Sequence, residues 1–348
     1  MNIPILLSTY NGSRFVKQQL ESLFAQSYSP VEIIVRDDGS KDNTLDILRD
    51  YNVKLLPSTT NLGSKHSFIA LLNYAMKNST ADYFMFCDQD DVWYADKVEK
   101  TLAKMKFMQA TYGTTIPLLV HTDLEVVDES LQTIAPSMWK YEHILPNKNA
   151  FSRLLIQNTI TGSTVMINRA LAEKCLTIPN CAIMHDWWLG LVASQFGKIG
   201  FIAKPTIKYR QHSNNSIGAK KYKLNFYLLL KSLFDYLFRS DRLYLQSLQP
   251  NIDQARCFLQ LYRFVLDDDR YKLLIVAYLM MQFDHALIDE FFGFGDKFVM
   301  AKFEEILNTK LIQANSLVIA SHNQQLINKF CNRIIHLDKG KIIKDEKI

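Results

Sequence analysis

The sequence predicts an α/β protein built around a parallel, helix-covered sheet. Three observations predict it: short apolar runs of strand length alternate with helical patterns from the first residues onward, polar clusters stand at the carboxyl ends of several of those runs, and 48% of the 348 residues are apolar. That is material for one large α/β domain and a second, smaller one, since domains run to about 100–200 residues.

Residues 3–7 are strand-like, 14–26 follow a helical pattern, 32–36 are strand-like again and 45–51 helical. A third short strand is predicted at 54–56, a helix at 67–78, and a fourth strand at 83–87 that runs directly into Asp88-Gln-Asp-Asp91. A helix over 95–105 follows, then strands at 118–122 and 164–167 and a helix at 186–196. Ligands of open α/β sheets sit at the carboxyl ends of the strands. Three polar clusters occupy such ends, Ser8-Thr-Tyr-Asn11, Asp37-Asp-Gly-Ser40 and Asp88-Gln-Asp-Asp91, and they are expected to converge on one crevice.

Composition excludes other classes. The formal net charge of +5 is modest and its basic residues are dispersed, which argues against a nucleic-acid partner. Cys87, Cys175, Cys181, Cys257 and Cys331 form an odd set with no Cys-x-x-Cys spacing, so neither a disulfide framework nor a zinc site is expected, and a reducing cytosol fits. The N-terminus lacks the features of a signal peptide, and no run of about 18 apolar residues is present to span a membrane. Residues 224–238 come nearest, but Lys231 and Asp235 interrupt them. Flanked by Lys220, Lys221, Lys223, Arg239 and Arg242, they suit either a helix lying on an anionic membrane surface or a buried helix closing the domain. The expected location is the cytoplasm, with peripheral contact at the inner face of the cell membrane.

The chemistry concentrates in Asp88, Asp90 and Asp91. Three carboxylates so close repel one another unless a cation or a set of donors compensates. Mg²⁺ or Mn²⁺ is the natural partner for such oxygen ligands and would bridge to a diphosphate; the plainer alternative is a solvated acidic turn ahead of the 95–105 helix. Taken together, Leu6-Leu-Ser-Thr-Tyr-Asn-Gly12, Ile33-Ile-Val-Arg-Asp-Asp-Gly-Ser-Lys-Asp-Asn-Thr44, Asn61-Leu-Gly63 and Phe86-Cys-Asp-Gln-Asp-Asp-Val-Trp93 resemble a family 2 glycosyltransferase in order and spacing. Asp88-Gln-Asp-Asp-Val-Trp93, Ile160-Thr-Gly-Ser-Thr164, His185-Asp-Trp-Trp-Leu189 and Tyr209-Arg-Gln-His212 are similar to the rhamnosyltransferase-like branch that builds bacterial surface polysaccharides.

That resemblance covers residues 2–240 and implies a GT-A fold, Rossmann-like, with a nucleotide-diphospho-sugar as donor. It implies that Thr9, Tyr10 and Asp38 hold the nucleobase, that Asp37 supports their loop and that Asp88 contacts the ribose. Asp90 or Asp91 would bind the metal, and His212 would complete the metal or diphosphate site. Lys65 is expected either to reach the diphosphate or to be a solvated lysine. Family 2 enzymes invert the anomeric centre, so one carboxylate must take the acceptor hydroxyl's proton; Asp186, opening an apolar helix, is the expected base, with an N-cap role as the bland alternative. Gly162 and Trp187 are expected on the acceptor side, while at least one of Trp187 and Trp188 belongs to the core.

Beyond the glycosyltransferase domain (1–217) and a helical packing or membrane-surface segment (218–265), residues 266–348 resemble the last part of a polysaccharide-export ABC ATPase. By that resemblance Asp289, Glu290 and His322 are its magnesium aspartate, hydrolytic glutamate and switch histidine. No Gly-x-x-x-x-Gly-Lys-Ser/Thr loop lies upstream to cradle phosphates, so no ATPase activity is expected of it. It implies docking to an ABC exporter, self-association, or a remnant of gene fusion. The leading expectation is a metal-dependent inverting transferase moving L-rhamnose from dTDP-L-rhamnose onto a surface polysaccharide or lipid-linked oligosaccharide. Two further readings stand beside it: a non-catalytic scaffold coupling synthesis to export, and a nucleotidyltransferase, which would carry a Gly-rich loop where Ser8-Thr-Tyr-Asn-Gly12 stands.

Overall fold

The computed structural model of the protein describes residues 2–213 except 59 and 148, residues 242–262 with 265, and residues 333–338 and 341–347. The chain divides into two units, Met1–Tyr278 and Leu279–Ile348. Asp289, Glu290 and His322 and the 224–238 stretch lie outside the described residues. The second unit is described as one antiparallel hairpin, β10 (Arg333–Asp338) with β11 (Lys341–Lys347).

The first unit opens with the expected alternation. β1 (Ile3–Thr9), α1 (Val16–Phe24), β2 (Val31–Asp37), α2 (Thr44–Arg49), β3 (Lys54–Leu56), α3 (Gly63–Asn78) and β4 (Tyr83–Cys87) follow one another. β1 pairs in parallel with β2 and β4, and β2 with β3. The near-continuous apolar strands Ile-Pro-Ile-Leu-Leu and Tyr-Phe-Met-Phe-Cys are buried on both faces, as a helix-covered parallel sheet requires.

The rest of the sheet departs from the parallel expectation. β5 (Val92–Trp93), α4 (Lys97–Tyr112), β6 (Leu118–Val127), β7 (Thr133–Ala135), α5 (Met138–Tyr141), α6 (Phe151–Leu154), β8 (Met166–Asn168), α7 (Arg169–Lys174), α8 (His185–Phe196) and β9 (Lys198–Arg210) complete it. The strand order is β3-β2-β1-β4-β8-β6-β9-β5, with β7 on β6, and β8 runs antiparallel to both of its neighbours. The sheet is therefore mixed. Periodicity reports that a strand is buried, not which way it runs, and β8 is only three residues long.

The pairings that matter for the site involve β9. It runs parallel to β6 along the whole pairing, and the register shifts on either side of the Asp123–Pro205 pair, where proline brings no N–H to the ladder. Beyond the shift Val127 faces Arg210, and the two-residue β5 pairs antiparallel to β9 with Val92 opposite Lys208. That short ladder lays residues 90–91 beside residues 210–212.

α9 (Arg242–Tyr262) packs on the same body. Its Phe258 and Tyr262 rings meet Trp188 and Phe196 of α8, and Asn251 Nδ2 donates to the carbonyls of Leu155 and Ile156. Cys181 and Cys257 are joined by a disulfide. This corrects the expectation that the cysteines pair with nothing. The two lie 76 residues apart, in a loop and a helix that only the tertiary fold brings together. Among the described residues no helix is long and apolar enough to cross a membrane.

Candidate active site

The three polar clusters do meet, through loops laced to one another. Asp37, at the end of β2, accepts from the backbone N–H groups of Gly39 and Ser40 at 3.1 and 2.8 Å and from the hydroxyls of Thr9 and Ser40 at 2.9 and 2.6 Å. Asn11, at φ 47°, ties to the same loop by its N–H on Ser40 Oγ and its Oδ1 under Lys41 N–H. From the third cluster, Gln89 accepts from Tyr10 N–H at 2.8 Å and donates back to Tyr10 O at 3.0 Å. Gly12 is needed for that clasp, because a Cβ there would lie 2.1 Å from Gln89 Oε1.

The acidic residues after β4 take three different environments. Asp90, partly exposed, has its Oδ2 2.8 Å from His212 Nε2. Asp91 is fully buried; its Oδ1 accepts the Arg210 backbone N–H at 3.2 Å, and among the described residues its Oδ2 has no partner within hydrogen-bond geometry. Burial first, then the charges of Asp90 and Asp88, hold its carboxyl well above the usual range. Asp88 is raised as well, by burial and then by Asp90 and Asp186, with a partial offset from the Ser163 hydroxyl. Behind them Lys97, also fully buried, rests its ammonium 4.5 Å over the Trp93 ring, and burial pushes it down to about 7.

Asp186 reaches the same crevice from the other side. It sits in the first turn of α8, 7% exposed, with Oδ1 accepting from Trp187 N–H at 2.6 Å. Burial pushes its carboxyl up to about 6, against hydrogen bonds from Trp187 N–H, Gly162 N–H and the Asn158 side chain. A Cβ on Gly162 would stand 3.0 Å from His185 Nε2, close enough to push that ring by a few tenths of an ångström, and at ordinary contact, 3.4 Å, from Asp186 Oδ2. His185 beside it is buried against Phe68 and Phe86 and is pushed down to about 3, hence neutral. The loop after β4 thus carries a carboxylate–imidazole pair, and the charge of the buried Asp186 bears on Asp88 of the same loop.

Residues 5–176 match the glycosyl transferase family 2 profile. The chain is also 36% identical over 196 residues to an uncharacterised glycosyltransferase of Haemophilus influenzae, a match covering 53% of this chain and 70% of that protein. The chain belongs to glycosyltransferase family 2. It is 28% identical over 232 residues to the dTDP-rhamnosyl transferase RfbG of Shigella flexneri, covering 62% of this chain and 77% of RfbG. Its fold is similar to the crystal structure of S. aureus TarS 1-349, at a TM-score of 0.53 and 16% identity over 89% of this chain and 80% of that one.

Within this glycosyltransferase the structure redistributes several expected roles. Thr9 and Asp38 are 1% and 2% exposed, with their polar atoms turned into the protein. Asp38 pairs with Arg36 and accepts the N–H groups of Leu62 and Gly63 at 2.8 Å each, stapling the 61–63 turn that starts α3. Of the three residues expected around a nucleobase, Tyr10, 48% exposed, is the one that presents a side-chain surface. Lys65 donates to the carbonyls of Asn180 and Ala182 at 2.8 and 2.7 Å; it ties α3 to the loop before α8 in place of the expected reach to a diphosphate. Asp91 is walled in, whereas the side chains of Asp90 and His212 keep some exposure. Trp188 is fully buried in the core, while Trp187 is half-buried and donates its indole N–H to Leu154 O. The expected N-cap alternative for Asp186 is also displaced, since Met184 holds the cap position.

Sequence reasoning missed the roles of Gln89, Asn158, Ser163, Tyr209 and Arg210. Tyr209 is buried among the acids, its phenol raised by burial and then by Asp91, Asp88 and Asp90. Among the described residues no three acidic, histidine or cysteine side chains form a ready cation cage. The donor set nevertheless fits Mg²⁺ or Mn²⁺: one carboxylate and one imidazole within 2.8 Å of each other, partly open, leave positions for phosphate oxygens and water.

Proposed function

We propose that this glycosyltransferase is a metal-dependent inverting enzyme that uses a nucleotide-sugar donor, with L-rhamnose from dTDP-L-rhamnose as the transferred sugar and a surface polysaccharide or lipid-linked oligosaccharide as acceptor. The rhamnose donor is supported by the similarity to RfbG and by the Asp88-Gln-Asp-Asp-Val-Trp93 motif. The observation that carries the mechanism is the sharing of Asp88 between two carboxylates: the charges of Asp90, hydrogen-bonded to His212, and of Asp186 both bear on it. Donor and acceptor chemistry thereby meet in one crevice.

Asp90 and His212 would hold the divalent ion, which would supply charge to offset that of the departing diphosphate. Tyr10 offers an aromatic face to the nucleobase, and Asp37 holds the loop beneath it. Asp186 removes the acceptor hydroxyl's proton as that oxygen attacks the anomeric carbon in line, and the carbon–oxygen bond to the diphosphate breaks on the opposite face. A carboxyl raised to about 6 is a stronger base than an ordinary aspartate and is still ionised at neutral pH. Gly162 and Trp187 border the acceptor side.

The remaining proposals concern the chain's surroundings. Residues 266–348 serve as a docking or self-association module that couples synthesis to an ABC exporter, supported by their resemblance to such ATPases; residues 218–265 serve as a packing segment or as peripheral contact with the inner membrane face, the latter supported by the lysines and arginines around 224–238. The test of the donor assignment is a thermal-shift screen against dTDP-, UDP- and GDP-sugars with and without Mn²⁺. Stabilisation by dTDP-rhamnose that requires Mn²⁺ is expected; a larger shift with a UDP- or GDP-sugar overturns the donor, and a shift indifferent to chelation overturns the metal.

A further inference from the structure

Arg210 is the last residue of β9 and is 1% exposed, so its guanidinium is held inside the protein rather than offered to a ligand. Each arm of the fork has its own acceptor. Nε donates to the Asp90 carbonyl at 2.8 Å, Nη2 to Gln18 Oε1 at 2.6 Å and Nη1 to the Glu129 carbonyl. The backbone N–H of the same residue donates to Asp91 Oδ1 at 3.2 Å. One side chain therefore fastens α1, the loop after β4 and the segment after β6 to the end of β9, two residues before His212.

The fork also sits over an aromatic ring. Its carbon is 4.5 Å from the centroid of the Phe15 ring, and the His212 imidazole packs against that same ring at 5.0 Å. Asp90 and His212 are 122 residues apart in sequence, and neither lies within a helix or strand. Their 2.8 Å approach depends on what surrounds them. On the aspartate side that is the Arg210 bond to its carbonyl; on the histidine side it is the Phe15 ring, whose position Arg210 shares. A lysine could replace the charge but not three coplanar N–H directions.

We infer that Arg210 is a positioning residue that assembles the Asp90–His212 pair before the divalent ion arrives, so that its planar fork sets the affinity of the site for metal. This rests on the reading of Asp90 and His212 as the cation ligands. Residues that orient metal ligands from behind typically change affinity about ten- to hundredfold when replaced.

The experiment titrates Mn²⁺ into the full chain with dTDP present and reads free Mn²⁺ by electron paramagnetic resonance, alongside thermal melts. Arg210→Lys is expected to weaken Mn²⁺ binding roughly ten- to hundredfold at a temperature where the variant is folded. A lowered melting temperature with native Mn²⁺ affinity overturns the inference, because a merely structural arginine gives that result. Should Arg210→Lys fail to fold, Phe15→Leu and Gln18→Leu each remove one support and leave the arginine. Weaker Mn²⁺ binding in both is then expected, and native affinity in both overturns the inference. His212→Ala separates the two layers. If it binds Mn²⁺ as the native chain does, the ligand assignment fails and the inference falls with it; if it loses Mn²⁺ while Arg210→Lys does not, only the inference fails.

Discussion

Replacing Asp186 by Asn stabilises the protein at pH 8 and has little net effect at pH 5. The Asp186 carboxyl is raised from an ordinary 3.8 to about 6, with burial as the largest cause. At about 1.4 kcal/mol per pH unit, keeping it ionised in the folded chain costs about 3 kcal/mol. The folded value lies above the unfolded one, so the fold is favoured while the group is protonated, and that advantage is lost as pH rises through about 6. At pH 5 about half of the cost is already in place, and at pH 8 all of it, so the benefit of removing the charge widens by about 1.4 kcal/mol between them. Asn keeps an acceptor for the Trp187 N–H, bonded at 2.6 Å in the native chain. Its amide nitrogen replaces the second oxygen, where Gly162 N–H approaches, at a cost on the order of 1 kcal/mol that does not vary with pH. The net gain is about 2 kcal/mol at pH 8. Urea unfolding followed by circular dichroism at both pH values measures it. An equal effect at pH 5 and pH 8, or a larger loss at pH 8, refutes the reasoning.

The same carboxyl sets the pH dependence of catalysis. A base with a value near 6 is ionised as pH rises, so kcat climbs through about pH 6 and levels above it; a profile flat from pH 5 to 8, or falling across it, contradicts the assignment. Gly162→Ala presses a methyl group on His185 Nε2 and sets it in contact with Asp186 Oδ2, so kcat falls by up to about tenfold while the donor dissociation constant, measured by calorimetry, stays within about twofold.

The sheet's first half was legible because its strands, Ile3–Thr9 and Tyr83–Cys87 among them, are apolar on both faces and end in polar clusters whose chemistry differs from the core. Convergence of those clusters followed from their strand-end positions alone. What was not legible depends on direction and depth. Strand β8 is too short to declare itself antiparallel, and β5 is a two-residue ladder that nonetheless brings Asp90 to His212. Asp90 and Asp91 are adjacent and identical in type, yet the alternation of the chain entering β5 leaves one partly open and buries the other. Asp38 is placed at the nucleobase by the family resemblance alone, but Arg36 and two N–H groups of the 61–63 turn claim its carboxylate. The Cys181–Cys257 link and the Arg210 fork are contacts across long sequence separations, which spacing does not encode.

The proposed mechanism divides the work between a cation-binding pair for the leaving group, Asp90 with His212, and a separate carboxylate for the acceptor, Asp186. Single-turnover transfer by Asp186→Asn, with donor affinity measured on the same preparation, tests it most directly. The account predicts transfer reduced at least about a thousandfold with donor affinity nearly native. Loss of both together, or retention of transfer, contradicts it.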